Sequence, residues 1–129
     1  MKVIYNKVIP FKGFYVINLF GTLFMRDNYK NMPVNKVTLT HEGTHTEQAI
    51  DLVFGCRQLR TLGYILFYVL YFIEWLIKLI LSGFTLGKIR AYRSISFEQE
   101  AYNNQKNYNY LNERKRFTWI KYVFRFVWK

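Results

Sequence analysis

The sequence predicts an α+β fold, mainly α: an N-terminal β-hairpin or edge strand packed on a compact bundle of three to four helices. Three observations predict it. β-branched and aromatic residues crowd the first twenty-five positions. Apolar residues recur at helical spacing after Asn35. Glycine and polar punctuation falls between these segments, with no internal repeat or low-complexity linker. At 129 residues the chain reads as one domain, 1–129.

Residues 2–9 and 14–25 read as two strands joined by a turn at Pro10–Gly13, and Gly21 marks a bulge or a close backbone approach. Residues 27–33 form a polar loop. A helix starts at Asn35, a suitable N-cap, and runs to Phe54, where Gly55 stops it. Residues 62–82 are the most apolar stretch and stop before Gly83 and Gly87. A third helix is expected from Ile89 to Asn107. The basic, aromatic segment 108–129 reads as a turn and a final helix.

Composition narrows the function. Lys plus Arg number 19 against 8 Asp plus Glu, a net charge of +11 that favours an anionic partner. Half the residues are hydrophobic and 20% aromatic, more apolar side chain than one small core absorbs. The single cysteine, Cys56, excludes an internal disulfide framework and four-cysteine zinc sites. Asn6, Lys7, Pro10 and Lys12 interrupt any signal-peptide core, so a cytoplasmic location is expected.

Helix 62–82 would span about 31 Å, enough to cross a hydrocarbon core. Glu74 and Lys78 stand four apart and can pair, within a stripe of polar tips that includes Arg60, Tyr64 and Tyr71. A core helix, an in-plane membrane helix or protein-binding face, and a transmembrane helix are all compatible with that pattern.

Both histidines fall in one motif, His41-Glu42-Gly43-Thr44-His45. Four residues apart on a helix, the imidazoles leave one face and can share a metal ion, with Glu42 placed to take a proton from water. Shuffling this composition yields the pattern roughly once per thousand chains. Two imidazoles leave Zn²⁺ one protein ligand short. Cys56 lies more than about 15 Å along the helix axis and is a poor choice. Glu98 and Glu100 are better. They point about 200° apart on a helix, so only one can face the metal, and the other is solvated or pairs with Arg90 or Arg93.

HEGTH followed some fifty residues later by FEQEAY resembles the gluzincin zinc metallopeptidases, in the pattern of CAAX-prenyl-protease and HtpX-like membrane peptidases. That resemblance implies a zincin-like fold, Zn²⁺ on His41, His45 and Glu98, and Glu42 as general base. Tyr102 stands where the family has an Asp that supports a ligand histidine. Tyr102 and Glu100 are therefore the candidates for that supporting role. It also implies that an edge strand, Leu19 to Arg26, lies above the motif helix and pairs with extended substrate. NKVIPFKGF, HEGTHTEQ and LNERKRFTW are similar, more loosely, to a small uncharacterised zincin-like family of Bacteroidetes.

Ligands on both sides of helix 62–82 in sequence argue against a single crossing, which would hold them about 30 Å apart. In the tail, Arg114, Thr118, Lys121, Arg125 and Lys129 fall on one helical stripe. A basic amphipathic helix on anionic lipid and a solvated basic face are both open. Nucleic acid is disfavoured, because no zinc-finger, RRM or KH signature accompanies the charge. Of the tyrosines beyond the motif, 102, 108 and 110, none is assigned to catalysis. The expected function is a zinc metallopeptidase acting on a peptide or protein, peripheral on the inner membrane, with helix 62–82 as a possible oligomer contact. The alternative is a catalytically silent, zinc-stabilised module that binds a membrane or a partner.

Overall fold

The structure is a computed structural model that describes residues 2–6, 16–26, 35–85 and 87–127. It is mainly helical with one small sheet. Strands β1 (Lys2–Asn6), β2 (Val16–Leu19) and β3 (Thr22–Arg26) lie in the order β1-β3-β2. β3 runs parallel to β1, with Lys2 opposite Thr22, and antiparallel to β2, with Val16 opposite Met25. Leu23 and Met25, two apart on β3, are fully buried.

This arrangement corrects the expected hairpin. The second strand is two strands, and Gly21 is not a bulge within it but half of its turn. Phe20 and Gly21 both have positive φ, 54° and 88°, as a two-residue hairpin loop of the twist-compatible type requires. Phe20 is a costly residue there. Tyr68 offsets that cost, since its hydroxyl accepts the Phe20 N–H at 3.1 Å and its ring meets the Phe20 ring edge-on. The expected turn at Pro10–Gly13 and the loop 27–33 lie outside the described residues. β3, which forms most of the anticipated substrate-pairing strand Leu19 to Arg26, is the central strand, so its hydrogen-bonding groups are already taken on both sides.

Helix α1 (Lys36–Asp51) starts where expected: the Asn35 side chain accepts the Thr38 N–H at 2.8 Å. Phe54 and Gly55, both at positive φ, end it, and the Gly55 N–H closes back on Ile50 O. A short 3₁₀ turn, Arg57–Leu59, leads into α2 (Arg60–Leu81). Gly63 allows α1 and α2 to touch, because a Cβ there would sit 2.3 Å from the Ala49 carbonyl oxygen.

The single helix expected over Ile89–Asn107 is two, α3 (Gly87–Arg93) and α4 (Ser96–Asn104). The break has a cause on α2. The Glu74 carboxylate accepts both the Ser96 N–H, at 2.7 Å, and the Ser96 hydroxyl, at 2.6 Å, and so caps α4 from outside its own chain segment. Lys78, paired with Glu74 at 2.9 Å as its spacing suggests, donates to the Ser94 carbonyl. The Glu74–Lys78 pair thus holds open the corner between α3 and α4.

The C-terminal segment is not the expected amphipathic helix. It contains the short helix α5 (Tyr110–Glu113), an extended Arg114, and a 3₁₀ turn, Thr118–Tyr122, entered through Phe117 at φ 63°. Arg114 leaves the proposed basic stripe altogether, because its guanidinium is buried in ion pairs. Trp119 packs on Phe97 in a core that also holds Tyr64, Phe67 and Ile95.

Candidate metal centre

α1 and α4 meet at the site. On α1, His41 and His45 project from successive turns, and α4 brings Glu98 to them. His41 Nε2 lies 3.0 Å from Glu98 Oε1, His45 Nε2 lies 3.3 Å from Glu98 Oε2, and the two Nε2 atoms are 3.2 Å apart. All three side chains are buried, and together they could hold a metal ion. Donors about 2.0 Å from a tetrahedral ion stand about 3.3 Å from one another. The two imidazole nitrogens stand at about that spacing, and each lies near a different oxygen of Glu98, so one atom from each of the three residues lies within 4.8 Å of the others.

The outer nitrogens are engaged as metal-binding histidines require. His41 Nδ1 faces Gln105 Oε1 at 2.9 Å, and His45 Nδ1 faces Gln48 Oε1 at 2.9 Å. The Gln48 amide is oriented by its other end, whose Nε2 donates to Phe97 O at 2.9 Å and to Glu100 Oε1 at 3.0 Å. Its oxygen must then accept from His45 Nδ1–H, which leaves the Nε2 lone pair pointing into the site. That lone pair faces His41 Nε2 at 3.2 Å and the Glu98 carboxylate at 3.3 Å, and a proton or a metal ion there relieves the repulsion between His45 and the carboxylate.

The Tyr71 hydroxyl donates to Glu98 Oε2 at 2.5 Å, and burial, with Glu98 beside it, keeps that hydroxyl protonated well above its ordinary range. Burial works against charge on both His45 and Glu98, but each outweighs it for the other. His45 is pushed up to about 9, and Glu98 is held well below the usual carboxylate range. In metal-free protein the raised His45 group contributes stability that is full below about pH 6.5, the unfolded value, and is lost as pH rises through about 9. Thermal unfolding of the metal-free protein should give a lower midpoint at pH 9.5 than at pH 6. A flat profile across that window would contradict the pairing.

Glu100 is not solvated and does not pair with Arg90 or Arg93. It is fully buried, accepts from the Tyr110 hydroxyl at 2.6 Å, and pairs with Arg114 Nε at 2.6 Å. Arg114 also reaches Asp51 at 2.7 Å, and Asp51 in turn accepts the Phe117 N–H at 2.9 Å. The line Asp51–Arg114–Glu100–Gln48–His45 thus supports one ligand from behind. Tyr102 supports the other by packing, with its ring edge-on to His41 at 4.6 Å and the Arg93 guanidinium 3.8 Å from its centre. The hydrogen bond to His41 that sequence reasoning sought at Tyr102 comes from Gln105 instead. Cys56 bonds Gln58 and takes no part in the cluster.

Glu42 follows His41 on α1 and is half-buried where its neighbours are buried. Its charge acts on His45, Tyr68 and Tyr92, so the carboxylate faces the same region, and it has no side-chain hydrogen-bond partner among the described residues. Its backbone oxygen accepts from the Asn18 amide at 3.2 Å, which pins edge strand β2 beside the motif. No protein-family model, curated protein or solved structure matches this chain.

Proposed function

We propose that this chain is a zinc-dependent metallopeptidase of the gluzincin type, with His41, His45 and Glu98 holding Zn²⁺ and Glu42 as general base. The observation that carries this reading is the buried His-His-Glu donor set, with Glu42 free beside it. Two imidazoles and one carboxylate are the ligand set of catalytic zinc sites that keep a position for water. A bound Zn²⁺ would supply Lewis acidity, lowering the pKa of water to about 7 and polarising a peptide carbonyl.

The chain's own residues do the rest. Gln48 fixes His45 in the tautomer that offers Nε2, and Gln105 holds the His41 ring through Nδ1. Tyr71 orients Glu98. Glu42 takes a proton from the attacking water and returns it to the leaving amine. Burial of the three donors also favours a second reading, a closed zinc site that only stabilises the fold.

Metal analysis tests the first step of the proposal. Purified protein should carry one zinc per chain, and Glu98→Gln should lose it. Hydrolysis of fluorescein-labelled casein should stop on chelation and return with added zinc. Protein that neither contains nor takes up zinc at neutral pH would sink the proposal, and zinc-loaded protein without hydrolysis favours the second reading.

A further inference from the structure

Helix α2 presents its polar tips inward and its apolar side chains outward. Tyr64, Phe67, Tyr71, Glu74 and Lys78 face the rest of the protein. The opposite half of the helix, from Leu62 and Ile65 through Ile73 and Ile77 to Ile80 and Leu81, is 38 to 72% exposed. At 100° per residue these exposed positions fill about half the circumference. From Leu62 to Leu81 no charged or hydrogen-bonding side chain stands among them, a length of about 30 Å. Solitary exposed apolar residues are ordinary, but a continuous half-cylinder of them marks an interaction surface.

We infer that this face seats in the surface of an anionic lipid bilayer, with α2 lying in the membrane plane. Charge selects the occupant. Ten Lys and Arg residues are exposed among the described residues, against a single exposed acid, Glu113. The other acids among the described residues are less exposed: Asp51, Glu98 and Glu100 are buried, Glu74 is tied to Lys78, Glu47 pairs with Arg57, and Glu42 is half-buried beside the histidines. A surface so uniformly cationic repels a second copy of itself and is drawn to anionic headgroups. Exposed Arg60 stands at one end of the apolar face, and exposed Arg90 follows the other.

The packing on the inward half selects the in-plane orientation. The β2–β3 turn packs on Tyr64 and Tyr68, while Ser94 and Tyr122 meet α2 at Lys78. A crossing would take the small sheet and these irregular segments to hydrocarbon depth, where only helices and closed barrels satisfy their own backbone groups. Lying flat, α2 gives its apolar half to the acyl chains and keeps the sheet and the metal centre in water.

Flotation of the full chain with vesicles tests this. Phosphatidylcholine vesicles containing phosphatidylglycerol should capture the protein, and pure phosphatidylcholine should capture much less. The double variant Ile73→Lys/Ile77→Lys, with its helical spectrum unchanged, should lose binding by about tenfold or more. Should that variant fail to fold, Phe72→Trp gives a separate measurement: the emission it adds to that of the three native tryptophans should be quenched by phospholipids brominated on the acyl chains. Absence of quenching, a soluble dimer that ignores anionic vesicles, or protease protection of residues before 60 and after 90 on opposite vesicle faces would each overturn the inference.

Discussion

Glu42→Gln should retain its zinc and lose hydrolysis of fluorescein-labelled casein by about 10²–10⁴-fold, the usual contribution of a general base. The substitution is isosteric and removes only the ability to accept a proton. No side-chain hydrogen bond of Glu42 is broken among the described residues, and its backbone oxygen still receives Asn18. Stability and metal content are therefore expected to stay near wild type, which separates a chemical defect from a folding defect. Activity equal to wild type would remove Glu42 from the chemistry and with it the gluzincin reading.

Arg114→Met is the matching prediction for stability. It leaves Asp51 and Glu100, 3% and 0% exposed, as buried carboxylates without their guanidinium. Breaking a buried pair on one side costs about 3–5 kcal/mol, a large part of the stability of an ordinary domain. Urea unfolding of the zinc-loaded protein measures it. Because Glu100 orients Gln48 and Gln48 orients His45, zinc affinity should fall as well, by about 10–100-fold. An unfolding free energy within about 1 kcal/mol of wild type would show that the network is dispensable.

The parts of the site legible in the sequence are those that depend on local spacing. His41 and His45 share a face because the helix repeat puts them there, and Asn35 caps because its side chain reaches only its own helix. Glu98 was reachable through the paired motif. Gln48 and Gln105 were not, since an amide becomes a support only when folding brings its acceptor to an imidazole. HEGTHTEQ contains Gln48 three residues after His45, and that spacing is the one local signal for it.

Proximity in sequence misdirected Glu100 toward Arg90 and Arg93, whereas its partner Arg114 arrives from beyond α5. The same residue explains why the tail is no helix: the ion pairs with Asp51 and Glu100 and the left-handed Phe117 override a helical periodicity. For α2 the polar stripe was visible, but the direction it faces was not. That direction depends on which elements need Glu74 and Tyr71, and those elements are distant in the chain.

The Glu74 cap on α4 makes α2 a strut as well as a surface. Ser96 hangs from Glu74, and the metal donor Glu98 follows two residues later, itself held by Tyr71 one turn back along the same rod. The two histidines ride on a different helix. Helix α2 touches that helix as well, through Gly63 against Ala49 and Tyr64 on Thr46, so the rod that carries the apolar face is the common support of all three members of the cluster.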